Sequence, residues 1–103
     1  MNAQAARRLE RRAAVLKALA HPARLFLIEQ LRGGERCVCE LHDLAGGDFS
    51  TVSKHLAQLR RAGLVDAEKR GLNVFYRLTD RCVLRLLECA DQAAHPRAKE
   101  RFG

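Results

Sequence analysis

Two thiols one residue apart, Cys37 and Cys39 in the run Glu35-Arg36-Cys37-Val38-Cys39-Glu40-Leu41, are the side chains of this chain with the most chemistry to offer. Soft thiolates take soft or thiophilic ions and also cycle through disulfides and persulfides. The pair sits where a short helix should begin, and the free N–H groups of a helix amino terminus favour the thiolate, with Arg36 adding positive charge beside Cys37. Side chains at i and i+2 of a regular helix point about 200° apart. A small ion bound by both sulfurs is therefore expected to unwind or tilt the first helical turn. Two further thiols, Cys82 and Cys89, are seven residues apart and share one face of a later helix, as interface or core residues or as a second pair.

The elements that must position these groups can be read from periodicity. Residues 5–20 carry Leu9, Ala13, Leu16 and Ala20 at helical spacing among arginines, and His21-Pro22 stops them. Pro22 suits the first position of a second helix, with Leu25, Ile28 and Leu31 inward as far as Gly33-Gly34. Residues 37–44 read as a third helix with Val38, Leu41, Leu44 and Ala45 inward, closed by Gly46-Gly47. Asp48 can cap a fourth helix, whose Phe49, Val52, Leu56 and Leu59 line one face. Residues 65–69 and 73–78 bracket Arg70-Gly71-Leu72 as a β-hairpin with a basic tip, and a last helix runs from Asp80 to about His95 before a tail frayed from about residue 96. That order, four helices, a hairpin and a C-terminal helix, makes a mainly α winged helix-turn-helix, one domain over residues 1–103.

The fourth helix presents Ser50, Thr51, Ser53, Lys54 and His55 away from its apolar stripe. Small polar residues on a leading turn can approach base edges and phosphates in a major groove. Lys69, Arg70 and Arg77 on the hairpin would meet the phosphate backbone beside it. Nineteen Lys and Arg against twelve Asp and Glu, a formal net charge of +7, agree in sign with double-stranded DNA as partner. A module of 103 residues buries modest area on DNA, so a homodimer on a palindrome is expected, joined through the first and last helices. With 48% hydrophobic and 30% charged residues the chain reads as globular. It has no bilayer-length apolar run and no signal-peptide core, which places it in the cytoplasm without a membrane partner.

These residues resemble the ArsR/SmtB family of bacterial metal-responsive repressors from Leu16 to about Ala94. The resemblance is carried by Leu19-Ala20-His21-Pro22-Ala23-Arg24, by Cys37-Val38-Cys39-Glu40-Leu41, by Ser50-Thr51-Val52-Ser53-Lys54-His55-Leu56 through Arg61-Ala62-Gly63-Leu64-Val65, and by Val74-Phe75-Tyr76-Arg77-Leu78. It implies a dimeric repressor of an efflux or detoxification operon that leaves its operator when an inducer binds. It is closest to the arsenical-repressor-like subtype, so the implied inducer is arsenite or antimonite on Cys37 and Cys39. That subtype carries a third cysteine where this chain has His42, leaving His42, Cys82 or Cys89 as the third ligand. The absence of cysteine from residues 1–36 disfavours a four-thiolate cadmium site. Asp80 and Cys82 match the first half of the family's zinc pattern, but Ala93 and Pro96 break the second.

Two rivals stand beside that reading. One keeps the scaffold and makes the protein a redox- or reactive-sulfur-responsive repressor with a cysteine disulfide switch. The other is a thiol-disulfide oxidoreductase or metal carrier, against which stand the Cys-x-Cys spacing and the lack of a βαβ pattern. No catalytic triad, phosphate loop or carboxylate pair appears in supporting context, so an enzyme is not expected.

Overall fold

Residues 1–94 are described by a computed structural model, and capping chemistry sets most of its element boundaries. Helix α1 (Ala3–Leu19) starts where the Asn2 side chain accepts the Ala5 N–H at 2.8 Å. Helix α2 (Pro22–Gln30) has its proline in the first turn, and His21 Nδ1 accepts the Ala23 N–H at 3.1 Å. A two-residue strand β1 (Arg36–Cys37) leads into α3 (Val38–Ala45). Gly46 and Gly47 then turn the chain with φ of 67° and 88°, values that a side chain would disfavour. Helix α4 (Phe49–Arg61), strands β2 (Val65–Arg70) and β3 (Asn73–Leu78), and helix α5 (Cys82–Ala93) complete the order. The expected end of the last helix near His95 and the tail from about residue 96 lie outside the described residues.

The winged helix-turn-helix expected from the sequence is what forms, with one addition. β2 and β3 pair antiparallel from Val65↔Leu78 to Arg70↔Asn73, and β1 adds to the other side of β3 through Arg36↔Tyr76 and Cys37↔Phe75. Cys37 is thus a strand residue and the N-cap of α3, where the sequence pattern starts the helix at it. The cause is a pairing with residues far along the chain, which local periodicity cannot register.

Leu27, Ile28 and Leu31 of the α2 region, Leu41 of α3, and Leu56 and Leu59 of α4 form the centre of the core, closed by Val65 and by Val83 and Leu84 of α5. Four large residues of the expected apolar stripes stay outside it, as do Ala13 and Ala20. Leu9 and Leu16 on α1, Leu44 on α3 and Phe49 on α4 are exposed, because the core is reached mainly by the last turn of α1 and by the middle of α3 and α4. Among the described residues no helix is long and apolar enough to cross a membrane.

Candidate functional site

The Cys37 and Cys39 sulfurs lie 2.6 Å apart. The expectation that a regular helix would hold them on opposite sides fails because Cys37 is not helical. Its φ of −65° and ψ of 146° are extended, so its side chain folds back over the first turn. There Cys37 Sγ accepts the Cys39 N–H at 3.4 Å, and Glu40 reaches back to the Cys37 N–H at 3.2 Å, a reciprocal cap with cysteine in the place usually held by serine or threonine. That Cys-x-x-Glu spacing was open to reading in the sequence. The hydrogen bond shared with the Cys39 thiol and the Cys39 backbone N–H together draw the Cys37 thiol below its ordinary range. The same bond, with burial, pushes the Cys39 thiol up. Arg36, expected to help, has its guanidinium turned to Gln30 O at 2.7 Å and Glu40 Oε2 at 3.2 Å. Cys37 is buried and Cys39 exposed, so the pair is approached from the Cys39 side.

None of the expected third ligands joins them. Among the described residues no group of three His, Cys, Asp or Glu side chains is placed to hold a metal ion. His42 faces α4 instead, stacked on the Phe49 ring with centroids 3.7 Å apart and with Nε2 3.4 Å from Ser53 Oγ. Cys82 and Cys89 are exposed on α5 and so lie outside the core of the single chain. The Asp80 carboxylate, accepting from the Cys82 thiol, pushes that thiol up, away from easy ionisation.

α4 divides its five polar residues. Ser50, Thr51 and Lys54 are exposed, whereas Ser53 and His55 are half-buried and already engaged. The Ser50 and Thr51 hydroxyls both donate to the Asp48 carboxylate, which holds that acid below its usual range. Asp48 stands at the N-cap of α4 without a side-chain cap bond, its carboxylate being taken up by the two hydroxyls. His55 Nδ1 accepts from Arg24 Nε at 3.2 Å, and its ring lies 4.4 Å from that of His21, so it points at α2 and not into solvent. Burial, then the charges of His21 and Arg24, lowers the His55 pKa below 6.5. A base whose folded pKa is depressed is bound by more protons in the unfolded chain, so stability rises with pH through the window below 6.5. Chemical denaturation between pH 5 and 8 should show that loss on acidification, and His55→Gln should flatten it; an unchanged profile in the variant would assign the effect elsewhere.

The wing is less cationic than its sequence. Arg70 makes a bidentate pair with Glu35, at 2.8 and 2.6 Å, reaches Glu68 at 3.4 Å, and lies 4.5 Å over the Phe75 ring. Arg77 pairs with Glu68 at 3.2 Å. Lys69 alone of the three has no ion-pair partner among the described residues. The turn itself is Gly71-Leu72, with φ of 63° at Gly71 and Leu72 fully exposed, so the expected basic tip is apolar and its cations stand one position back.

Comparison with known proteins places this geometry among regulators. Residues 21–67 match the family described as bacterial regulatory protein, arsR family. The chain is 41% identical over 81 residues to the HTH-type transcriptional repressor SmtB of Mycobacterium tuberculosis, covering 79% of this chain and 58% of that protein. It is similar to a homodimeric winged helix-turn-helix DNA-binding domain of Mycobacterium bovis, with TM-score 0.82, 31% identity and coverage of 97% of this chain and 93% of that one. It is also similar to the crystal structure of the transcriptional repressor BigR from Xylella fastidiosa, with TM-score 0.74, 33% identity and coverage of 91% and 97%. The chain spans 58% to 65% of the length of the first curated relatives it matches.

Proposed function

Because the chain belongs to the arsR family of bacterial regulatory proteins, we propose that it is a transcriptional repressor that holds operator DNA as a homodimer and releases it when a thiophilic inducer, arsenite or antimonite, engages Cys37 and Cys39. The observation that carries this reading is the convergence of the two sulfurs at the N-cap of α3, one glycine turn ahead of α4. Arsenite, As(OH)3, can condense with two thiols, losing two waters and keeping one hydroxyl. A dithiol thus suffices as an acceptor, without His42, Cys82 or Cys89.

Base contacts fall to Ser50, Thr51 and Lys54. Ser53 and His55 shape the helix they sit on, and Lys69, with Arg70 and Arg77 behind their carboxylates, faces the phosphates. The Asp48 carboxylate must yield the two hydroxyls it holds for them to donate to DNA. The exposed Leu16 of α1 and Leu86 of α5 share one concavity with Val15, rimmed by Arg8, Arg11 and Arg12, and a second copy would cover its apolar floor. Regulation by oxidation is a second reading, favoured by the adjacency of the two sulfurs, which a disulfide could join.

The test is an anaerobic fluorescence-anisotropy titration on an operator selected by the protein from randomised duplexes. Operator affinity should fall steeply with salt, and arsenite or antimonite should release the reduced protein. Equal affinity for every duplex would overturn the repressor reading. Release only by a peroxide or persulfide, undone by reductant, would replace the arsenite reading with the redox one.

A further inference from the structure

Along its length α4 keeps one polar stripe. Thr51, Lys54, Gln58 and Arg61 follow at spacings of three and four residues and are all exposed. The far end of the stripe opens into a cleft between α1 and α4, lined by Lys17, Arg24, Gln58 and Arg61, with alanines filling the rest. Its volume of about 620 Å³ is far above the ~30 Å³ of one water. Three cations meet there and no carboxylate lines it.

Elsewhere several arginines lie beside acids: Arg32 with Glu29 and Glu88, Arg36 with Glu40, Arg70 with Glu35 and Arg77 with Glu68. Lys17, Arg24 and Arg61, like Arg8, Arg11 and Arg12 on the exposed face of α1, have no such partner among the described residues, and Arg24 alone of these six is half-buried. Arg24 is half-buried, and its guanidinium donates only to neutral acceptors, His55 Nδ1 and Ala18 O, each at 3.2 Å. A cation drawn partly out of water beside two others, with no counter-charge, favours an anion that accepts several charge-assisted hydrogen bonds at once.

Length identifies which anion. Ten residues of helix separate Thr51 from Arg61, about 15 Å at 1.5 Å per residue, whereas the major groove is about 12 Å wide. A helix that crosses the groove with its first turn on base edges therefore brings its last turn to the groove's rim, where the phosphates run. We propose that the α1–α4 cleft seats a backbone phosphate of the bound duplex, with Lys17, Arg24 and Arg61 supplying charge and Gln58 a neutral donor. The assignment rests on the DNA-binding reading and extends the DNA-facing surface to α1, which the sequence pattern assigns to dimerisation.

The experiment compares wild type, the Lys17→Gln plus Arg61→Gln double variant, Arg61→Lys, and Arg85→Gln on α5 as a charge control, on the selected operator and on a scrambled duplex across salt concentrations. The double variant should bind both duplexes at least about tenfold more weakly at low salt, with the slope of log K against log salt reduced by about 0.9 for each phosphate that is no longer neutralised. Arg61→Lys and Arg85→Gln should keep the wild-type slope. A wild-type slope in the double variant, with wild type bound to its operator, overturns this inference and leaves the DNA-binding reading standing. Failure of wild type to bind any duplex removes both. If inorganic phosphate perturbs the Gln58 side-chain amide resonance of the DNA-free protein while the double variant keeps the wild-type slope, the cleft serves a free anion and the proposal is overturned in that direction.

Discussion

Cys37→Ser and Cys39→Ser will each bind operator within about 0.5 kcal/mol of wild type, the usual range for substitutions that disturb no packing, and will each fail to release it at arsenite doses that free the wild type. Binding is spared at Cys37 because serine is a preferred N-cap residue, so the reciprocal cap with Glu40 persists and α3 keeps its start. It is spared at Cys39 because that side chain is exposed. Release fails because a hydroxyl near neutral pH is a poor soft-ion ligand and one thiol cannot close a chelate. Even loss of outer-shell support for a ligand costs about 10–100-fold in metal affinity, so removal of the ligand itself should raise the half-release dose by more than about a hundredfold. Cys82→Ser combined with Cys89→Ser should release as wild type does. Wild-type release by both single variants would remove the dithiol from the mechanism, and failed release in the α5 double variant would restore those cysteines as ligands.

Leu56→Ala is expected to lower stability by about 2–5 kcal/mol, the range for truncating a fully enclosed leucine. Leu56 is 0% exposed and packs in the same cluster as Leu41 and Leu59, so the cavity would open at the junction of α3, α4 and α2. Domains of this size have only about 5–15 kcal/mol in total. Thermal unfolding followed by circular dichroism, at one fixed protein concentration because association adds stability, should show Tm lower by more than about 10 °C. Leu44→Ala, at a leucine the sequence pattern placed inward and the fold leaves exposed, should shift Tm by no more than a degree or two. Equal shifts at the two positions would contradict the packing described.

The difference between those leucines shows what periodicity can deliver. The order of the five helices and the hairpin, the α4 core face from Val52 to Leu59 and the proline start of α2 were legible because each is a local pattern or a local cap; the hairpin turn closed one residue tighter than its sequence suggested, with Arg70 paired to Asn73. Leu9, Leu16, Leu44 and Phe49 were misplaced because a hydrophobic spacing says which residues share a face and not whether another element arrives to cover it. The site was legible as a set of residue types and less so as geometry. Cys37 and Cys39 stood out, but their convergence depends on Cys37 pairing with Phe75, thirty-eight positions away. Glu35 with Arg70, and Glu68 with Arg70 and Arg77, likewise convert cations of the wing into internal pairs that no charge count shows. The cleft between α1 and α4 assembles residues from three helices, so no single stretch of sequence announces it.

Strand β1 has one further consequence. It pairs with the wing through only two residues, and the Cys37 thiol points back at Asn73 Oδ1, 3.8 Å away, on that same wing. The next residue begins the helix that leads to α4. A bond formed on the Cys37 sulfur is therefore hinged to two levers, the groove-facing helix on one side and the backbone-facing hairpin on the other. Affinity factors from separate grips multiply, so even small, simultaneous weakening at both would compound. Under the proposed function the dithiol would act as a single latch across a two-handed grasp.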